Sequence, residues 1–166
     1  MERGGVLVSS RLGKAIASEL RALESIGSRP FSISTKDDRI RIQKIVYLLN
    51  RLGSTPARRF RFDLYLHGPY STELAEEYYA LGNEALRETR PATTLRPDVG
   101  RTVLEADALG ILFLEGLATT LYFSDKSLHF GQALDKAAAE KSHITPGTWG
   151  EIRQFIVEHP LLTKRV

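Results

Sequence analysis

The chain contains no cysteine. This absence excludes disulfides, thiolate metal sites, iron-sulfur clusters and cysteine nucleophiles together. A metal ion would need histidine and carboxylate ligands, but the four histidines, His67, His129, His143 and His159, are scattered without paired ligand spacing. The sequence also lacks a phosphate-binding loop, a nucleophile elbow and an HExxH motif. We therefore predict no metal, no cofactor and no catalytic residue.

A long uninterrupted hydrophobic run is also missing. The most apolar stretch, 106–123, is broken by Asp107 and Glu115, which favours a buried helix over a membrane span. We expect Glu115 to face solvent or to meet an arginine. The apolar run at 6–8 is shorter than the core of a signal peptide. These features predict no membrane association and a cytoplasmic location.

The length and composition are those of one ordinary globular domain. The 166 residues, 42% of them hydrophobic and 26% charged, are enough to bury a core without disulfides or metal. We predict a single domain over 1–166. The net charge is only +3, but sixteen of the 23 basic residues are arginine, the residue type suited to planar contacts with phosphate and carboxylate groups.

Apolar residues recur at helical spacing through most of the chain. They predict helices over 10–27, 37–53, 71–81, 105–123, 124–141 and 146–160. Large apolar side chains alternate over 60–66, as in a half-buried strand, and 101–104 could add a second strand. The predicted fold is α+β and mainly helical. Five to seven helices surround the buried helix at 105–123, with a small antiparallel sheet that could be winged-helix-like.

Polar residues with capping propensity precede most of these helices. The candidates are Ser10 for the first, Asp37 or Asp38 for the second, Ser71 or Thr72 for the third, Ser124 or Ser127 for the fifth, and Thr148 with Glu151 for the last. Gly68 and Pro69 are expected to end the strand and to join it to the third helix. Residues 84–100 are expected to form an irregular connection.

Two segments carry a resemblance to a known family. Residues 41–49, RIQKIVYLL, and residues 62–71, FDLYLHGPYS, followed by Glu73 and Leu74, resemble the YwgA-like proteins. These prokaryotic proteins look distantly related to the Panacea domains of toxin and antitoxin systems. The runs at 114–119 and 144–152 are also similar, so the resemblance spans about 35–160. It leaves 1–34 outside as an additional N-terminal helix and loop.

The resemblance implies a role in regulation or interaction. The YwgA-like proteins have no agreed activity, and Panacea domains act by binding and neutralising partner proteins. No catalytic residue is carried over onto this chain. The first functional hypothesis is therefore a non-enzymatic regulatory module that binds a protein partner, or a second copy of itself. We place that surface at His67 and Tyr70, which flank the Gly68-Pro69 turn, and at Tyr78 and Tyr79 on the following helix. The alternative is a purely structural turn.

Basic residues concentrate between Lys36 and Arg61, where eight positive and two negative side chains leave a net charge of +6. At about 100° per residue, Arg41, Lys44 and Arg51 fall together on the helix face away from the apolar stripe. The second hypothesis is a winged-helix-like nucleic-acid-binding protein that uses the 39–61 segment. Its contact residues would be Arg41, Lys44, Arg51, Arg58, Arg59 and Arg61. The alternative is a solvated face that pairs with Glu73, Glu76 and Glu77.

A third hypothesis is RNA cleavage of the kind carried out by helical HEPN ribonucleases. Arg61 with His67, and Arg153 with His159, have the required separation of five intervening residues. The histidine would act as general acid or base while the arginine steadies a phosphate. With sixteen arginines in the chain, such spacings also arise by chance. A histidine at a helix C-terminus is explained equally well by the helix dipole.

Overall fold

The computed structural model describes residues 10–126 and 128–164. Within these ranges it contains seven α-helices and one two-stranded antiparallel sheet, which confirms the predicted α+β, mainly helical fold. The elements are α1 Arg11–Ser25, α2 Lys36–Arg51, β1 Asp63–Tyr65, β2 Gly68–Tyr70, α3 Thr72–Glu88, α4 Pro97–Ala108, α5 Ile111–Asp125, α6 Phe130–Glu140 and α7 Pro146–Glu158.

The core is organised around α5. This helix is apolar on all sides, and it packs against α2, α4, α6, α7 and β2. Side chains from all seven helices belong to one continuous buried cluster. No helix among the described residues is both long enough and apolar enough to cross a membrane.

The predicted central helix at 105–123 was too long at its N-terminal end. Gly110 has a φ of 98° and separates α4, which ends at Ala108, from α5, which begins at Ile111. The predicted strand at 101–104 is wrong, because these residues lie within α4. Val99, Val103 and Ala106 are buried along one face of that helix. The second strand required for the winged-helix-like alternative is therefore absent from this part of the chain.

The sheet is a short β-hairpin. Asp63 pairs with Tyr70 and Tyr65 pairs with Gly68, so Leu66 and His67 form a two-residue turn. The predicted strand at 60–66 is paired only over 63–65. Gly68 and Pro69 were expected to end the strand, but they form β2 instead. Proline is tolerated there because this two-stranded sheet consists only of edge strands.

Two helix starts agree with the sequence prediction. The Ser10 hydroxyl accepts from the backbone N–H of Gly13, and the Ser71 hydroxyl accepts from the backbone N–H of Leu74.

The caps of three other helices differ from the prediction. For α2 the cap is Thr35, and Asp38 completes a capping box with it. For α7 the cap is Thr145 rather than Thr148. His129 caps α6 in place of Ser124, and Ser127 lies outside the described residues. The predicted end of the third helix, at residue 81, precedes a kink at Gly82, where φ is 70°.

Candidate functional site

Three of the six predicted nucleic-acid contacts are turned into the protein. Arg41 and Lys44 are buried, so the prediction that they face solvent is wrong. The Arg41 Nε and Nη2 atoms each donate to an Asp107 carboxylate oxygen at 2.7 Å, which ties α2 to α4. Arg51 forms an ion pair with Asp125 and donates to the backbone carbonyl of Leu162 at 3.1 Å. These charges hold helices together.

The remaining three arginines are exposed. Arg58 and Arg59 lie on a short 3₁₀ turn, Ala57–Arg59. Arg61 has 81% of its side chain exposed, with its Nε atom 3.8 Å from an Asp63 carboxylate oxygen. The predicted partner Glu73 instead accepts from the backbone N–H of Arg61. The exposed members of the six-residue contact set therefore lie in the region just before the hairpin.

The predicted partner-binding residues surround a cleft of about 260 Å³. The cleft lies between the N-terminal half of α2, the β-hairpin and α3. Its lining residues are Lys36, Arg39, Ile40, Lys44, Tyr65, Leu66, His67, Gly68, Tyr70, Tyr78 and Tyr79. All four residues proposed from the sequence, His67, Tyr70, Tyr78 and Tyr79, are among them. We call this feature the tyrosine cleft.

Two tyrosine pairs shape the walls of the tyrosine cleft. The rings of Tyr65 and Tyr70, from the two strands, have centroids 5.2 Å apart, and those of Tyr78 and Tyr79 are 5.0 Å apart. Tyr65 is 51% exposed, Tyr79 is 53% exposed and Leu66 at the hairpin turn is 79% exposed. These are large apolar side chains that face solvent around one concavity.

Tyr78 differs from its neighbour because it is part of the core. It is 3% exposed, and burial raises the pKa of its hydroxyl to about 12. A charged substitution at Tyr78 would therefore test folding as well as binding. Leu66 and Tyr79 are the appropriate positions for testing the surface.

Two lysines hold the hairpin against the helices. The Lys44 ammonium donates to the backbone carbonyl of Pro69 at 2.7 Å, while the Lys141 ammonium donates to the carbonyl of Leu66. The buried carboxylate of Glu115 lies 3.6 Å from the Lys141 Nζ atom. Its other neighbours are the His143 Nε2 atom at 3.0 Å and the His67 Nδ1 atom at 3.8 Å. The prediction that Glu115 faces solvent or meets an arginine is wrong.

The environment of Lys44 changes its proton affinity. Burial lowers the pKa of Lys44 to about 7, with a further lowering from Lys141 and a partial compensation by the negative charge of Glu115. Lysine is thereby converted from a permanent cation into a group that titrates near neutral pH. Because Lys44 lines the tyrosine cleft, the floor of the cleft carries a lysine with a lowered pKa.

The carboxylate of Glu115 lies near one ammonium group and two imidazole rings. The ammonium of Lys141 already lies beside it. Throughout 10–126 and 128–164, no group of three or more histidine and acidic side chains is placed to hold a metal ion.

The two histidines of the ribonuclease hypothesis each have an acidic neighbour, Glu115 for His67 and Glu105 for His159. In the described chain no hydrogen bond joins Arg61 to His67 or Arg153 to His159. The His159 Nδ1 atom lies 2.7 Å from the backbone carbonyl of Phe155, and its Nε2 atom pairs with Glu105. Its ring also stacks on that of Phe155, with centroids 3.8 Å apart. His159 therefore closes the C-terminal end of α7.

The cluster of Lys44, Glu115, Lys141 and His143 was not identified from the sequence. Two signals were available: a glutamate in the middle of an apolar helix, and a lysine next to the apolar stripe of α2. Either group, once buried, needs a polar or charged partner. The contact between these groups could not be predicted, because α2, α5 and the segment after α6 are far apart in the sequence.

The chain was compared with family models, with curated proteins and with solved structures. None of these comparisons gives a match.

Proposed function

We propose that this chain is a non-enzymatic regulatory module that binds a protein partner at the tyrosine cleft. The observation that carries the proposal is the exposure of Tyr65, Leu66 and Tyr79 around one concavity. Aromatic side chains are enriched at protein interfaces, where they supply large contact areas at low conformational entropy cost. The resemblance to YwgA-like and Panacea proteins points to the same class of function. We place this activity in the cytoplasm.

The size of the tyrosine cleft supports a protein ligand. Sites for small molecules and cofactors usually enclose about 300 to 1,000 Å³, whereas this cleft measures about 260 Å³. Such a volume suits one or two anchoring side chains from a larger partner. The walls are also held in place before binding, because Lys44 and Lys141 fix the hairpin from behind. Preorganisation of this kind lowers the entropic cost of association.

Site-specific photo-crosslinking in cells of the source organism tests the proposal. A photoreactive phenylalanine analogue would replace Leu66 or Tyr79, and the control would carry it at Val157, an exposed apolar residue of α7 outside the cleft. We expect a discrete crosslinked protein from both cleft positions and none from the control. The captured protein, once purified, should bind the wild type and lose affinity for Leu66→Ser. Identical crosslinks from all three positions would contradict the proposal.

The same experiment separates a second copy of this chain from a different partner. A self-complex would give a crosslinked product of twice the mass of the chain, which is 18.6 kDa. Sedimentation of the purified wild type and of Leu66→Ser would then show a dimer that the substitution dissociates. A product of any other mass identifies a different protein.

A second candidate function is nucleic-acid binding. It is favoured by the exposure of Arg58, Arg59 and Arg61 within four consecutive positions. Exposed arginines can form paired hydrogen bonds with phosphate oxygens. The contact surface would be much smaller than the six-residue set predicted from the sequence, because Arg41, Lys44 and Arg51 are engaged inside the protein.

A further inference from the structure

We infer that the partner inserts a segment in which an acidic residue adjoins an aromatic or large aliphatic anchor. This inference rests on the proposed function, since it specifies the chemistry of the ligand at the same cleft. It follows from the uneven distribution of charge around the tyrosine cleft, whose walls carry tyrosine and aliphatic side chains and whose charged lining residues are basic.

Within 10–126 and 128–164, no aspartate or glutamate lines the tyrosine cleft, whereas Lys36, Arg39, Lys44 and His67 do. Lys36 is exposed at the first turn of α2. Arg39 also lines the cleft, and its Nη1 atom donates to the backbone carbonyl of Ile33 at 2.9 Å, which restrains its guanidinium. The rim of the cleft therefore presents two permanent cations next to the apolar walls.

The acidic residues closest in sequence to this rim are directed elsewhere. Asp38 accepts from the backbone N–H of Thr35 in the capping box of α2. Asp37 and Asp38 also line a separate cavity, in which Arg29 and Arg41 are their cationic neighbours. Neither aspartate lines the tyrosine cleft, so neither places a negative charge on its wall. Among the acids of the other elements, Glu115 is buried between Lys141 and His143.

The tyrosine hydroxyls of the walls add hydrogen-bond donors that suit a negatively charged ligand. Tyrosine hydroxyls can donate hydrogen bonds to a carboxylate, and cations at an interface rim guide an oppositely charged partner into register. A basic segment would bring like charges together at Lys36 and Arg39, at a cost in affinity. The complementary ligand is therefore an acidic peptide segment with one apolar side chain that fills the space between the two tyrosine pairs.

Selection from a phage-displayed library of random peptides tests this inference without knowledge of the natural partner. The library is selected on the wild-type chain after depletion on Leu66→Ser. We expect recovered sequences in which aspartate or glutamate lies next to an aromatic or large aliphatic residue. Recovered sequences that are neutral or basic, or failure to recover any sequence specific to the wild type, would overturn the inference.

Affinity measurements on one recovered peptide provide the matched control. Reversal of charge in the double variant Lys36→Glu and Arg39→Glu should weaken binding by about tenfold or more, since like charges would then face each other. The double variant Arg90→Glu and Arg101→Glu makes the same change of net charge at exposed arginines that do not line the cleft, and it should leave the affinity unchanged. Equal losses in both variants would attribute the effect to overall charge and overturn the inference.

The two proposals fail in different ways. If photo-crosslinking captures a partner through Leu66 and Tyr79 but the selected peptides show no acidic preference, the protein-binding function stands and the inferred ligand chemistry is wrong. If crosslinking shows no preference for the cleft positions, the proposed function itself is wrong, and the acidic-ligand inference falls with it.

Discussion

Lys44 is an ammonium group that the fold buries almost completely, at 1% exposure. Its pKa of about 7 in the folded protein compares with about 10.4 for an unperturbed lysine. Between these values the unfolded chain binds more protons at this position than the folded chain does. The free energy of unfolding therefore gains a contribution as pH rises from about 7 towards 10.

Replacement of Lys44 by methionine tests this effect. Urea unfolding of the wild type at pH 7 and pH 9 should show a stability gain on the order of a few kcal/mol relative to the pH dependence of Lys44→Met. The comparison concerns the change with pH, because the variant also loses the hydrogen bond to Pro69. Parallel pH profiles would show that Lys44 keeps an ordinary pKa in the folded state.

The burial of Lys44 also shows where helical periodicity stops being informative. Lys44 precedes Ile45 and Val46, both fully buried, so it lies at the edge of the apolar stripe. A lysine there can extend along the surface or turn inward, because its four methylene groups are themselves apolar. The choice depends on the carbonyl of Pro69 and the carboxylate of Glu115, which come from other elements.

The β-hairpin depends on glycine at its second strand. Gly68 has a φ of +87°, and a Cβ atom there would lie 2.6 Å from the Thr119 hydroxyl oxygen on α5. Gly68→Ala should destabilise the protein by about 1 to 3 kcal/mol, because the left-handed backbone and the close approach both resist a side chain. Thermal and urea unfolding measure this loss.

The matched control is a glycine that a side chain can replace without strain. Gly150 lies inside α7, and a Cβ atom there would have no neighbour within 4 Å. Gly150→Ala should raise stability by roughly 0.5 to 1 kcal/mol through its higher helix propensity. If both substitutions had the same effect, the contact between the hairpin and α5 would not be the cause.

The link between α2 and α4 is the buried pair of Arg41 and Asp107. Burial would raise the pKa of Asp107, but hydrogen bonds from Arg41 and Ser28 outweigh that effect and hold its pKa below the usual value. The pair therefore stabilises the fold fully above about pH 4, the unfolded-state value, and its contribution is lost as pH falls through the folded pKa.

Removal of one partner of this pair leaves the other charge buried and uncompensated. Asp107→Asn should cost about 3 to 5 kcal/mol at neutral pH. Asp98→Asn is the control on the same helix, because Asp98 pairs with Arg96 in an exposed position, and it should change stability much less. Chemical unfolding of the two variants side by side would reject the assignment if their losses were equal.

The sequence predicted elements well where one signal dominated. The predominantly apolar composition of α5 identified the central helix, and Ser10 and Ser71 identified two helix starts. The prediction failed where the same residue types suit more than one kind of secondary structure. Thr102 and Val103 suit a strand as well as one face of a helix, and burial in α4 decided between the two structures.

At the scale of the whole molecule, the distribution of exposed charge limits the nucleic-acid hypothesis. Release of counterions gives a slope of about 0.9 per phosphate contact in a plot of log affinity against log salt. With Arg58, Arg59 and Arg61 as the exposed set, the slope should not exceed about 3. The six-residue set expected from the sequence would give about 5.

Fluorescence anisotropy with labelled duplex DNA and single-stranded RNA, at about 50 and 200 mM salt, measures this slope. Any binding should disappear in Arg58→Glu with Arg59→Glu and persist in Arg87→Glu with Arg90→Glu, a control pair of exposed arginines elsewhere on the chain. Equal loss in both pairs would indicate binding by net charge alone. A slope near 5 would require the arginines of α2 to leave their buried partners.

The position of the tyrosine cleft was partly accessible from the sequence, because all of its lining residues lie between 36 and 79. The sequence analysis placed His67, Tyr70, Tyr78 and Tyr79 at a surface beside the turn that precedes α3, although Tyr78 is buried. The contribution of Lys36, Arg39 and Ile40 was not foreseen. It depends on how α2 packs beside the hairpin, and that packing is determined by Lys44 and Lys141.

The two buried lysines also make the chain a chemical reporter of its own motion. Acylating reagents react only with amines that they can reach, and Lys44 is buried. While the hairpin is closed, that amine is shielded and exposed lysines such as Lys36 and Lys126 carry the label. Each time the hairpin lifts from α2, Lys44 becomes accessible, regains the pKa of a solvated lysine and can be labelled as the exposed lysines are. Its labelling rate, followed by mass spectrometry, therefore records the frequency at which the wall of the cleft opens.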